Sequence, residues 1–92
     1  MEFIKGENRF YQEDEDGNVI AEITYKPLDE NTVDADHTFV DPSLRGQGVA
    51  EQLVDRLVEQ METEGKKIQP TCPYVVNLFK RKEEKYENII AK

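Results

Sequence analysis

The stretch Val40-Asp41-Pro42-Ser43-Leu44-Arg45-Gly46-Gln47-Gly48-Val49-Ala50 constrains the fold more than any other part of the chain. A strand-like segment ends in it, and an amphipathic helix starts directly after it. Such a junction gathers backbone N–H groups and the positive end of a helix at one point. That combination suits a phosphate or pyrophosphate. Gly46 and Gly48 lack a Cβ, so a ligand can approach the backbone there, and Arg45 adds a cation at the mouth of the loop. The plain alternative is a tight strand-to-helix turn that holds nothing.

Periodicity supports both flanks. Upstream, Phe10 and Tyr11 mark a strand within Arg9 to Glu15, and Asp16-Gly17-Asn18 reads as a hairpin turn. Val19, Ala21, Ile23 and Tyr25 then alternate with polar neighbours, although Ile20 breaks the polar row. Pro27 closes that strand. After a turn at Asp29 to Thr32, Val33, Ala35, His37 and Phe39 alternate with Asp34, Asp36, Thr38 and Val40, which places His37 on the apolar face. Downstream, Val49, Ala50, Leu53, Val54, Leu57, Val58 and Met61 form one helical stripe, and Gly65 is a fitting stop. Lys66 to Thr71 reads as a short strand, Pro73 as the first residue of a second helix, and Glu83 to Lys92 as a short final helix. The segment from about Val33 to Thr71 is then a β-α-β crossover joining parallel strands. Its topology brings the glycine loop and Cys72 to one edge of the sheet.

Ninety-two residues suit one domain, 1–92. With 37% hydrophobic and 35% charged residues the composition is that of a small folded domain. No apolar run is long enough for a membrane span, and Met1 to Gly6 lacks the pattern of a signal peptide. A single cysteine excludes an intramolecular disulfide and suits a reducing, cytoplasmic setting. The net charge of −8 speaks against nucleic-acid binding and favours a cationic partner, such as an amine.

Arg45-x-x-Gly48-x-Ala50, preceded by Val40-x-Pro42, resembles the coenzyme A signature of the GNAT superfamily of N-acyltransferases. There the form is Arg or Gln, two residues, Gly, one residue, then Gly or Ala. The resemblance is strongest from His37 to Gly65 and weaker from Ile68 to Tyr86. It implies a minimal GNAT-like α+β fold: a mostly antiparallel sheet, one parallel β-α-β crossover and a C-terminal helix. It also implies acetyl-CoA as cosubstrate and an amine as acceptor. Arg45, Gly46, Gln47, Gly48, Val49 and Ala50 would surround the pyrophosphate, and the backbone of Thr38, Phe39 and Val40 would follow the pantetheine arm. Asn77 lies where many larger members place an asparagine near the cofactor arm. Those members often add a tyrosine as general acid; here Leu78 and Phe79 occupy that region, leaving Tyr74 and Tyr86 as candidates. The long N-terminal helices that shape the acceptor site in larger members are missing. A non-catalytic acyl-CoA-binding module that works through a protein partner is the competing expectation.

Cys72 and His37 are the candidate catalytic side chains. Cys72 falls at the start of the second helix, where the thiolate is favoured, so a thiol more reactive than a free one is expected. The alternative is an inert buried cysteine. His37 is the sole histidine and the residue type best suited to proton transfer near neutral pH; its alternative is a core histidine satisfied by a hydrogen bond. Cys72-Pro73-Tyr74 and His37-Thr38 are similar to the short, single-domain YjdJ-type branch of the superfamily, with Pro73 a departure from it. Asp34, Asp36 and His37 do not form a cluster with metal-ligand spacing, so no metal is expected. Lys80-Arg81-Lys82 reads as a solvated helix end or as a meeting point for nucleotide phosphates.

Overall fold

The computed structural model describes residues 2–91. Five strands form one sheet in chain order: β1 (Ile4–Gly6), β2 (Arg9–Glu13), β3 (Val19–Pro27), β4 (Thr32–Val40) and β5 (Lys67–Ile68). The first four are antiparallel to their neighbours, and β5 runs parallel to β4. Helix α1 (Val49–Glu64) makes the crossover; α2 (Pro73–Arg81) and the short α3 (Glu83–Tyr86) follow β5. The architecture is the expected small α+β domain with one parallel pair. Among the described residues no helix is long and apolar enough to cross a membrane.

Local chemistry sets the boundaries. The Asp14 carboxylate accepts the N–H groups of Asp16 and Asn18, both at 2.9 Å, and Gly17 takes φ 84°, so the β2–β3 hairpin closes tightly. At the end of α1, Gly65 adopts φ 71° and Lys66 N–H reaches back to the Met61 carbonyl at 2.8 Å, a Schellman-type stop. Pro73 opens α2 where its missing N–H costs nothing.

Three elements differ from the sequence reading. β1 is a short edge strand with no periodicity of its own. β5 covers two residues only. The final helix ends at Tyr86 because the following residues pair with β5 instead: Ile68 N–H donates to the Ile89 carbonyl and Ala91 N–H to the Ile68 carbonyl, at 2.8 and 2.9 Å. Lys92 lies outside the described residues.

Two bulges reshape the alternation of the sheet. Gln12 pairs with Ala21 and Glu13 with Val19, so Ile20 is the extra residue on β3. This accounts for the break in its polar row. Thr24 pairs with His37 and Tyr25 with Ala35, so Asp36 is the extra residue on β4. Val33 and Ala35 face the core before this bulge; Thr38 and Val40 turn inward after it. His37 is consequently exposed on the outer face of the sheet, and the core-facing expectation is corrected. The Asp36 carboxylate accepts the Thr24 hydroxyl at 2.6 Å and steadies the bulge.

The core lies between the inner sheet face (Phe10, Ala21, Ile23, Tyr25, Val33, Ala35) and Leu53, Val54, Leu57 and Met61 of α1. Ile68, Val75, Leu78, Phe79, Tyr86 and Ile89 extend it under the C-terminal segment. Tyr86 joins α3 to α1: its ring lies 4.9 Å from that of Phe79, and its hydroxyl donates to Asp55 at 2.6 Å. Burial, reinforced by Asp55, raises the phenol above the ordinary value of 10.0. The neutral phenol is thus favoured by the fold, so its stabilisation is complete below pH 10 and fades as pH rises toward the folded-state value. Tyr86→Phe should lower stability at neutral pH by about 1–2 kcal/mol. Urea unfolding across about pH 9 to 11 should show a shallower alkaline decline in the variant than in the wild type.

Candidate active site

The site is built where β4 and β5 part. They pair only at Thr32–Lys67 and Val33–Ile68. Gln69 N–H then donates to the Val33 carbonyl at 2.8 Å, and Thr71 and Cys72 both donate to the Ala35 carbonyl, at 3.2 and 3.0 Å. Past that point the chain turns into α2 while β4 continues to Val40. Asp41 N–H bonds the Ile20 carbonyl at 2.8 Å. By the two-residue alternation of an antiparallel ladder, Phe39 and His37 also direct their backbones to β3. The N–H and C=O groups of Thr38 and Val40 therefore face the edge that β5 leaves open.

A buried carboxylate holds this split. Asp34 is 3% exposed and accepts both the N–H and the hydroxyl of Thr71 at 2.9 Å. Lys26 approaches it from outside at 4.0 Å. Cys72, at the N-cap of α2, is consequently pressed against β4, its sulfur 3.4 Å from the Thr38 hydroxyl. The thiol is 5% exposed, so burial limits its access to reagents.

The loop after β4 is shaped by its own side chains. The Asp41 carboxylate accepts the Ser43 N–H at 2.9 Å and the Ser43 hydroxyl at 2.6 Å, which caps a 3-10 turn over Pro42–Leu44. Gly46 and Gly48 take φ 83° and 73°, a backbone that disfavours other residues. A Cβ at either would meet nothing within 4 Å, so the space above both is open. The first bond of α1 runs from Gln52 N–H to the Gly48 carbonyl at 3.1 Å. The N–H groups of Val49, Ala50 and Glu51 thus precede the helical ladder and have no acceptor within it.

Strand edge and loop enclose one groove of about 370 Å³. Thr38 and Val40 form one wall; Leu44, Arg45, Gly46, Gly48, Val49 and Ala50 form the other, with Tyr74 at the side. Burial, with Glu51 nearby, raises the Tyr74 phenol above the ordinary value of 10.0 against the opposing pull of Arg81. It is protonated at neutral pH. Tyr86, the other candidate acid, is locked to Asp55 away from this groove.

Most of the residues singled out in the sequence thus converge. Cys72 meets Thr38 from the far end of the crossover. Phe39 does not line the groove: its side chain is 40% exposed on the opposite face. His37 shares that outer face. Gln47 and Asn77 are exposed and are absent from the groove lining. Asp34 and Leu44 were not anticipated. Asp34 carried no local signal, because Thr71 is 37 positions away. Among the described residues, no three His, Cys, Asp or Glu side chains form a group that could hold a metal ion.

An anion-accepting loop beside a split parallel strand pair defines a protein that can grip a long ligand with an anionic portion and an extended arm. Comparison with known proteins narrows the class. Residues 9–89 match the family model described as GCN5-related N-acetyl-transferase. A protein of Staphylococcus aureus assigned as a GCN5-like N-acetyltransferase, solved in solution by NMR, is 36% identical; the alignment covers 98% of this chain and 87% of that one, with a TM-score of 0.82. Two larger proteins share the fold. A ribosomal-protein-alanine N-acetyltransferase from Brucella melitensis is 24% identical, with a TM-score of 0.60 over 91% of this chain and 60% of its own. A Mycobacterium tuberculosis protein in complex with CoA is 21% identical, with a TM-score of 0.58 over 68% and 40%. No curated protein matches significantly. The chain belongs to the GCN5-related N-acetyltransferase family, and its class of reaction is N-acetyl transfer.

The Asp34–Thr71 contact makes a direct test of the split. Asp34→Ala removes the buried carboxylate that accepts the Thr71 hydroxyl and shares its N–H with the Ala35 carbonyl, and should cost about 1–3 kcal/mol. With α2 less firmly held, Cys72 should alkylate faster than in the wild type under native conditions. An unchanged rate would mean that the carboxylate does not fix the start of α2.

Proposed function

We propose that the chain transfers an acetyl group from acetyl-CoA to an amine, and that the groove between the β4 edge and the Gly46–Gly48 loop takes the donor. The observation that carries this reading is the convergence of two binding surfaces in one groove: N–H groups for an anion, and a free strand edge for an extended amide chain. The N–H groups at the start of α1, with Arg45, hold the pyrophosphate. The backbone groups of Thr38 and Val40 bond the amides of the pantetheine arm as a neighbouring strand would. The open space above Gly46 and Gly48 fits a ligand lying against the backbone.

The bound thioester supplies an activated acyl carbon: the amine nitrogen bonds to it, the carbon–sulfur bond breaks, and sulfur leaves with the electron pair. Two proton movements remain for the protein, one onto the departing sulfur and one off the amine. Tyr74, protonated and lining the groove, is the donor to sulfur. His37, one residue from Thr38 on the outer face, takes the proton from an amine arriving from that side. Cys72 lines the split behind Thr38 and assists the chemistry there. The acceptor is an amine, with a cationic one favoured by the excess of 20 acidic over 12 basic residues.

Calorimetric titration should give acetyl-CoA binding in about the micromolar range. Arg45→Ala should weaken it about tenfold, near the worth of one charge-assisted contact. A bulky residue at Gly48 should abolish it by filling the approach. Unchanged affinity in both folded variants would remove the site assignment. Turnover should then be measured with polyamines, lysine-bearing peptides, neutral amines and hydroxyl acceptors at two ionic strengths. Cationic amines should react fastest, and their advantage should shrink with salt. Tight donor binding with no turnover over the whole panel would favour an acyl-CoA-binding module that works through a protein partner.

A further inference from the structure

Glu51 is the third residue of α1, inside the turn whose N–H groups face the groove. A glutamate at this position is within reach of the helix start, where its charge is favoured by the exposed N–H groups and the positive end of the helix. It would then occupy the groups that an incoming anion needs. In this structure it does not. Its two carboxylate oxygens accept from Lys82 Nζ at 3.0 and 2.9 Å, and one also accepts from Lys85 Nζ at 2.9 Å. Lys85 extends the cluster to Asp55 at 3.1 Å. Both lysines sit on the segment around α3, which Tyr86 anchors to α1 through Asp55.

We propose that Lys82 and Lys85 form a clamp that withholds the Glu51 carboxylate from the anion loop, keeping the N–H groups of α1 available to the phosphates of the acyl donor. The lysines are positioning residues, acting through Glu51 rather than on the ligand. The proposal rests on the acetyl-CoA reading above and gives the segment around α3 a part in donor affinity, although neither lysine lines the groove. The lysine ion pairs hold Glu51 below the ordinary glutamate value of 4.5, so the carboxylate is fully charged at neutral pH. An unclamped Glu51 would therefore both compete with phosphate and repel it.

The test is a titration of the full chain with CoA as probe. Lys82→Ala combined with Lys85→Ala should weaken binding about fivefold, the scale of a charge acting at a helix end. Adding Glu51→Gln should restore affinity to within about twofold of the wild type. Adding Glu62→Gln instead, an equal charge change at the far end of α1, should not. Recovery by both additions would assign the effect to overall charge. Recovery by neither would mean that the lysines touch the phosphates themselves; either result overturns the clamp. Glu51→Gln alone keeps the lysines and the α3 contacts, so it reports even if the double variant does not fold. It should bind CoA at least as tightly as the wild type, and a loss would overturn the proposal. Wild-type protein that does not bind CoA would overturn the donor reading and the clamp with it. Binding that depends on Arg45 but is unchanged in the folded Lys82→Ala, Lys85→Ala variant would remove the clamp alone.

Discussion

The carbonyl of Ala35 accepts two N–H groups, from Thr71 and Cys72, and with that shared contact pairing on this side of β4 stops. Had β5 run on in register, the backbone of Thr38 and Val40 would be sealed into the ladder and no edge would be left to bind anything. An open edge inside a sheet is a hazard for unwanted pairing. Here it is short, lies between the loop and Tyr74, and is held open by a buried carboxylate. Asp34 accepts the Thr71 hydroxyl and shares the Thr71 N–H with the Ala35 carbonyl, which ties the departing chain to β4. The bulge at Asp36 then turns Thr38 toward the groove and His37 away from it. A short series of backbone and side-chain hydrogen bonds thereby converts an ordinary parallel crossover into a cleft with two chemically different walls.

What could be read in the sequence follows from how local each cause is. Helix α1 and its stop at Gly65 were legible because the apolar stripe and the left-handed glycine lie within one continuous segment. The meeting of the glycine loop with Cys72 was legible for a different reason: a parallel crossover places both strand ends on one edge whatever the side chains do. Unbroken alternation through β4 puts His37 on the inner face, and the bulge at Asp36 moves it to the outer one. The extra residue at Asp36 is stabilised by Thr24, 12 positions away on another strand, and nothing next to Asp36 announces it. Ile20 did leave a trace of the companion bulge, as a break in the polar row. The shortness of α3 was hidden in the same way, since the backbone of Ile89 to Ala91 finds its partners on β5.

The size of the chain sharpens the role of its C-terminal segment. A domain this small has few residues to spare for a core, and α2 and α3 supply much of its second half through Val75, Leu78, Phe79 and Tyr86. The same segment carries Lys82 and Lys85 to Glu51 and Asp55 on α1. Apolar packing and ion pairing thus act at one junction. The packing sets where the lysines stand, while surface ion pairs alone would contribute little to stability. In the clamp proposed above, their effect is on where the Glu51 charge points rather than on stability.

A loop suited to anions in a chain of net charge −8 looks contradictory until distance is considered. At physiological salt the field of a surface charge fades over about 8 Å, so most of the carboxylates act on a phosphate at the loop only weakly. Groups in contact with it act fully, and in the acyl-donor reading those are backbone N–H groups and Arg45. Net charge therefore governs how fast ligands of each sign arrive, and contact governs how long they stay. In the acyl-transfer reading the two substrates carry opposite charge, and no single surface potential serves both. Local pairing meets this: Lys82 and Lys85 are offset by Glu51 and Asp55, and Glu22 on the outer face by Arg9, while Arg45 lines the groove. The open stretch of β4 borders both sides, lining the groove with Thr38 and Val40 and presenting His37 and Phe39 on the outer face.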